Sequence, residues 1–250
     1  MRGLTGKGVL VAGGSSGIGK AAAERFLDEG SRVFLCGIDP AEVEGAVAEL
    51  ASLGAVGGIA CDVSDETDVG RLVDAAEAAL GSIDVLINNA GIARKDAFLD
   101  LDVETWDRIL KVNLRGMFLV AQAVARRMAD RGTGVIVNMA STNALGGEAE
   151  FAHYNASKGA VLQLTRTMAV ELGPMGIRVN CLCPGFIRTP LNDAISDQAF
   201  VDAYEREKIP LGRAGTPDEV AAAYAFLASD DASFIHGAAL VIDGGQTAVM

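Results

Sequence analysis

Short apolar runs alternate along this chain with longer segments of helical period. The runs at 8–12, 32–36, 56–61, 83–87, 135–139, 177–182 and 239–242 predict strands, and the segments at 17–29, 41–53, 66–80, 152–172 and 216–228 predict helices. Residues 103–131 predict one long helix or a broken pair. Strands that are apolar on both faces and separated by helices belong to a parallel sheet covered on both sides. With right-handed crossovers, the expected fold class is α/β: a single-domain, Rossmann-type doubly wound parallel sheet of about seven strands with helices on both faces. A closed eightfold barrel fits less well, because the glycine signal is concentrated after the first strand rather than spread over eight loops. Residues 185–210 resist the pattern. They are polar and broken by Pro190 and Pro210, and they read as an irregular lid over a ligand. One domain over 1–250 is expected, with that lid at about 185–210.

Composition changes this picture in three ways. Glycine is abundant, 30 of 250 residues, which asks for tight turns and close backbone approaches. The formal net charge of −12 repels nucleic acid and anionic lipid, so neither is an expected partner and a small-molecule substrate is. The four cysteines, Cys36, Cys61, Cys181 and Cys183, sit in apolar runs and have only His153 and His236 as possible co-ligands. Buried reduced thiols are therefore expected, with no metal site. Met1–Lys7 lacks the apolar run of a secretory leader and no stretch has membrane-span length, so the expected compartment is the cytoplasm.

Candidate chemistry begins where the first strand meets the first helix, at Ala12-Gly13-Gly14-Ser15-Ser16-Gly17-Ile18-Gly19. Glycines let backbone approach a ligand there, and the helix N-terminus offers free N–H groups and partial positive charge to a pyrophosphate. The spacing Gly13-x3-Gly17-x-Gly19 is not the G-x-G-x-x-G fingerprint. It resembles the T-G-x3-G-x-G turn of the short-chain dehydrogenase/reductase family, with Ala12 where Thr is usual. Asn88-Asn89-Ala90-Gly91, then Ser141 followed by Tyr154-Asn155-Ala156-Ser157-Lys158, then Pro184-Gly185 match the same family in order, so the resemblance spans essentially the whole chain.

Tyr154 and Lys158 are i and i+4 on a predicted helix and share one face, and Ser141 ends the preceding strand, at the edge where doubly wound sheets bind ligands. A free phenol titrates near ~10, too high for a good base at neutral pH, and a neighbouring ammonium stabilises the phenolate. Tyr154 then reads as general base for alcohol oxidation and general acid for ketone reduction, with Ser141 holding the substrate oxygen. The resemblance adds that Lys158 contacts the nicotinamide ribose and that Asn113 completes a catalytic tetrad. It also implies cofactor contacts from Gly13, Ser15, Ser16, Gly17, Ile18 and Gly19 in the turn, and from Asp62 and Val63 near the adenine. Asn89, Ala90 and Gly91, and then Pro184, Gly185, Ile187 and Thr189, are the remaining implied contacts, together with Tyr154 and Lys158 themselves. A homotetramer pairing the helices around 103–131 and 152–172 is likewise implied.

The end of the second strand meets the adenosine ribose in such folds. The position where NAD-using members most often carry Asp corresponds to Gly37, and the two where NADP-using members often carry a cation correspond to Ser16 and Ile38. No cation is supplied for a 2′-phosphate, so NAD is favoured over NADP. Asp39 has two readings, a ribose partner or an N-cap before Pro40. The expected substrate contacts, Arg94, Asn143, Glu148, His153 and Phe186, are mostly polar and suit a sugar or polyol. An NADPH-dependent 3-oxoacyl thioester reductase is the competing enzyme. A non-catalytic dinucleotide sensor is the competing reading of another class, but it has no use for an activated phenol.

Overall fold

The computed structural model describes residues 1–195 and 197–249. Seven strands form one sheet in the order β3-β2-β1-β4-β5-β6-β7, every neighbouring pair parallel. They are β1 (Gly8–Ala12), β2 (Arg32–Gly37), β3 (Val56–Ala60), β4 (Val85–Asn88), β5 (Gly134–Met139), β6 (Ile177–Pro184) and β7 (Ala239–Ile242). The sheet is doubly wound, reversing between β1 and β4, where Val9–Ala12 pair with β2 on one side and β4 on the other.

The five inner strands are buried on both faces for the reason their composition gave, and the edge strands β3 and β7 are half-buried. Val9 and Val11 face one hydrophobic cluster with α1 (Gly17–Asp28), α2 (Pro40–Leu50) and α9 (Pro217–Ala228), while Leu10 and Ala12 face a second with α3 (Glu66–Leu80) and α5 (Met117–Arg131). Each fully buried aliphatic side chain contributes ~1.5–3 kcal/mol. Helix starts follow capping chemistry. The Asp65 carboxylate caps α3, and Thr216 with Glu219 forms a capping box on α9.

Two expectations are corrected. The segment 103–131 is neither one helix nor a simple pair. It is α4 (Val103–Leu110), a π-helical turn (Lys111–Gly116) and α5, in one continuous spiral. The lid segment 185–210, expected to be irregular, holds α7 (Pro190–Asp193) and α8 (Gln198–Lys208). Pro190 does not break this segment. It occupies the first position of α7, where a missing N–H is no loss, and Thr189 and Asp197 cap the two helices. Ser196, inside the expected lid, lies outside the described residues. Among the described residues no helix is long and apolar enough to cross a membrane, and no cluster of His, Cys, Asp or Glu could hold a metal ion.

Candidate active site

A cleft of about 570 Å³ runs along the C-terminal ends of the strands, from the turn after β1 to α7 and α8. Gly13 (φ +74°) and Gly17 (φ +51°) adopt backbone conformations that L side chains avoid. A Cβ on Gly13 would stand 2.7 Å from Ala90 Cα, and one on Gly19 would run into the Gly13 carbonyl. Gly19 therefore packs the turn from behind and does not line the cleft. Asn89 Nδ2 donates to the Gly13 carbonyl at 3.0 Å, fixing the turn against the end of β4. The N-cap of α1, Ser16, makes no side-chain capping bond, and its first turn carries no acidic residue. Those free N–H groups and the helix dipole face the cleft, and the cradle fits a dinucleotide pyrophosphate.

Ser141, Tyr154 and Lys158 meet further along the same cleft. Ser141 follows β5, where its hydroxyl caps a 3₁₀ turn (Thr142–Ala144), accepting from Asn143 N at 3.1 Å. Tyr154 and Lys158 lie on α6 (Ala152–Leu172), with Lys158 Nζ 5.5 Å from the Tyr154 ring centre. Desolvation by the cleft walls pushes the Tyr154 phenol up to about 12; the Ser141 hydroxyl opposes this and the Glu148 carboxylate adds to it. Lys158 is 2% exposed and its ammonium donates to the Met139 carbonyl at 2.9 Å. Burial brings its pKa down to about 8.

Asn113 does not line the cleft; it stands behind the wall, inside the π-helical turn and fully buried. Its Oδ1 accepts from Ile92 N at 2.8 Å and its Nδ2 donates to Ile92 O at 2.8 Å, a two-point clamp on the loop following Gly91. Nδ2 also reaches Ser157 Oγ at 3.3 Å. A Cβ on Gly91 would stand 3.3 Å from Asn113 Oδ1 and 3.6 Å from Lys158 Nζ, so the two side chains converge on that backbone. The extra residue of the π turn turns Asn113 inward, and Gly116 allows the turn to close on Val63.

Most residues expected to contact cofactor or substrate do line the cleft, including Ser15, Ser16, Ile18, Asp62, Val63, Pro184, Gly185, Ile187, Thr189, Asn143, Glu148 and Phe186. Three more do not, and each has a physical reason. Asp39 is the N-cap of α2: its Oδ1 accepts from Ala41 N at 2.7 Å and Glu42 N at 3.2 Å. Arg94 is held outside the wall by Asp96 at 3.0 Å and by the Thr105 hydroxyl at 3.1 Å. His153 is fully buried with its Nε2 3.4 Å from Asp96. Its neighbour Tyr154 faces the cleft, and successive residues on a helix point about 100° apart.

Lys95, Glu42 and Gln246 line the cleft without having been anticipated. Gln246 Nε2 donates to the Tyr204 hydroxyl at 2.8 Å, joining the C-terminal turn to α8, and Lys95 Nζ sits 4.1 Å over the Phe200 ring. None of the three belongs to a short motif, and only the fold brings them to the site. The substrate end of the cleft is a braced polar wall. Asn143 Nδ2 donates to Glu148 Oε2 at 3.0 Å and to Asn155 Oδ1 at 2.7 Å, and Asn155 Nδ2 donates to the Glu148 carbonyl at 2.9 Å.

The family model described as enoyl-(acyl carrier protein) reductase matches residues 12–247. The D-threitol dehydrogenase of Mycolicibacterium smegmatis is 43% identical over 245 residues, covering 98% of this chain and 94% of that protein. A short-chain type dehydrogenase/reductase from Mycobacterium marinum is 40% identical with a TM-score of 0.92, covering 98% of this chain and 96% of that one. A 3-ketoacyl-(acyl-carrier-protein) reductase from Brucella melitensis, complexed with NADH, is 38% identical with a TM-score of 0.91, covering 98% and 99%.

Proposed function

The chain belongs to the short-chain dehydrogenase/reductase family, and on that footing we propose that it interconverts a secondary alcohol of a polyol or sugar and the matching ketone, using NAD. Redox chemistry at a CH–OH carbon comes with the family; the polyhydroxylated substrate and the choice of NAD are our reading. One observation carries the substrate class. The Glu148 carboxylate, braced by Asn143, lines the same cleft as Tyr154 and adds to the rise of its pKa, so a hydrogen-bond acceptor shares the cleft with the reacting oxygen. A hydroxyl on the carbon next to the reacting one can donate to that carboxylate, whereas an acyl chain offers it no donor. The likeness to D-threitol dehydrogenase supports the same class.

The roles follow from the geometry. The dinucleotide, when bound, supplies the hydride acceptor or donor. Tyr154 Oη takes the hydroxyl proton during oxidation and returns it during reduction, and Ser141 Oγ holds the substrate oxygen against it. The Lys158 ammonium, 5.5 Å from the Tyr154 ring centre, favours the phenolate and so works against the desolvation that raises that phenol's pKa. Asn113 positions the Ile92 backbone, and with it the neighbouring Gly91 beside Lys158. The preference for NAD rests on charge: the cleft-lining residues from Gly13 to Glu42 include no Lys or Arg to meet a 2′-phosphate. A cytoplasmic homotetramer belongs to the same reading. Four buried free thiols suit a reducing compartment, and Phe118 and Val170 present exposed apolar surface on the two long helices; a monomer mass by light scattering would end the tetramer.

The test is a turnover screen of the purified protein with NAD and NADP over vicinal diols, aldoses, simple secondary alcohols and β-ketoacyl thioesters. Diols or aldoses with NAD are expected to give the highest kcat/KM. Turnover of β-ketoacyl thioesters alone would overturn the substrate class. Tyr154→Phe is expected to lower kcat by at least about 10²-fold; a loss of less than tenfold would remove the proton-transfer role.

A further inference from the structure

The cleft wall at the end of β2 is built in an unusual way. Gly37, the last residue of β2, has no room for a side chain: a Cβ there would collide with the Ser15 hydroxyl and stand 2.9 Å from Ser15 Cβ and 3.2 Å from Val43 Cγ2. Ser15 thus occupies the space that an acidic side chain at 37 would need. Its hydroxyl donates to Glu42 Oε2 at 3.3 Å, and Ser15, Gly37, Ile38 and Glu42 all line the cleft. Asp39 is spent on the α2 N-terminus and is not on the wall. Glu42 is the one carboxylate that this stretch turns toward the ligand. It lies 23 residues beyond Gly19, close to the ~20-residue offset at which dinucleotide folds place the acid that reads the ribose.

We propose that Glu42, reaching from the first turn of α2 and oriented by Ser15, selects a dinucleotide with a free ribose 2′-hydroxyl over one with a 2′-phosphate. The 2′-hydroxyl donates to the carboxylate, and a phosphate in its place meets a like charge with no cation nearby. Ser15 and Glu42 together do the work that the fold elsewhere gives to an acid ending β2. The inference rests on the NAD preference proposed above.

The experiment measures Kd for NADH and NADPH by nucleotide-fluorescence titration of the full-length protein without substrate. The wild-type ratio tests the NAD preference itself: NADH is expected to bind at least about tenfold tighter, and equal affinities or tighter NADPH binding would overturn that reading and this one with it. Given that preference, Glu42→Gln is expected to shrink the ratio by about fivefold or more, and Glu42→Arg to reverse it. Asp39→Asn is expected to leave the ratio within twofold. An unchanged ratio in Glu42→Gln, or a collapse in Asp39→Asn alone, assigns the selection elsewhere and overturns the inference. Glu42→Asp, a carboxylate one methylene shorter, keeps part of the preference if the carboxylate is what discriminates, and losing it all would count against the proposal.

Discussion

Lys158 holds an ammonium where water scarcely reaches, with the Met139 carbonyl as its one hydrogen-bond partner among the described residues. That arrangement costs stability to a degree that depends on pH. Its folded pKa, about 8, lies below the ordinary 10.5, so between those values the unfolded chain binds a proton the folded chain has released. Stability from this group therefore rises with pH across that window, and the full penalty, up to ~3 kcal/mol, applies below pH 8. Lys158→Met is expected to be more stable than wild type at pH 7 by a few kcal/mol at most and to lose activity. Urea unfolding at pH 7 and pH 10 should show the difference shrinking; a constant difference would contradict it. At this scale the sequence was informative where chemistry dictates spacing. Tyr154 and Lys158 stand four apart on a helix because the phenol needs a cation on its own face. It was mute where the fold does the assembling, as for Lys95 and Gln246, which come from distant segments. Asp39 was ambiguous because an N-cap and a ribose ligand draw on the same residue types at the same strand–helix junction, and the structure resolves it as a cap.

Among the elements, the π-helical turn was visible only as a hesitation between one helix and two. Its trace is in the buried positions. Thr105, Ile109, Asn113 and Met117 recur every four residues, slower than the 3.6 of an α-helix, and the following Val120, Ala121 and Val124 return to the usual spacing. A polar residue in that series reads as an irregular surface position until the turn folds it inward. Asn113→Ala would leave the Ile92 N–H and C=O without their partners. A destabilisation of ~2–4 kcal/mol is expected, along with a lower kcat, since the adjoining Gly91 lies beside Lys158. Thermal melts showing less than ~1 kcal/mol lost would mean the clamp is dispensable. Helices α7 and α8 were hidden for a different reason. Pro190 looks like a breaker in sequence and acts as a helix start in space, because the first N–H of a helix has no partner to lose.

The molecule as a whole was the most legible level. A sheet covered on both faces needs strands without polar alternation, and that pattern extends over nearly the full chain, so the parallel sheet and its helical layers followed directly. One core feature contradicts its surroundings. Tyr224 on α9 is fully buried in the core, and its hydroxyl has no hydrogen-bond partner among the described residues. Tyr224→Phe removes an unpaired polar atom and is expected to raise the melting temperature by ~2–4 °C for each ~1 kcal/mol recovered; a lower melting temperature would show that the hydroxyl is satisfied in solution. The core and the cleft depend differently on chain length at 111–116. The π turn holds one residue more than an α-helix would use over the same span, so deleting one residue there would let it close into an α-helix with α5 still in register. Met117, Val120, Ala121 and Val124 would stay on the sheet while the clamp of Asn113 on Ile92 was lost. The extra residue therefore serves the cleft and not the packing, and a chain without it would keep its fold and work worse.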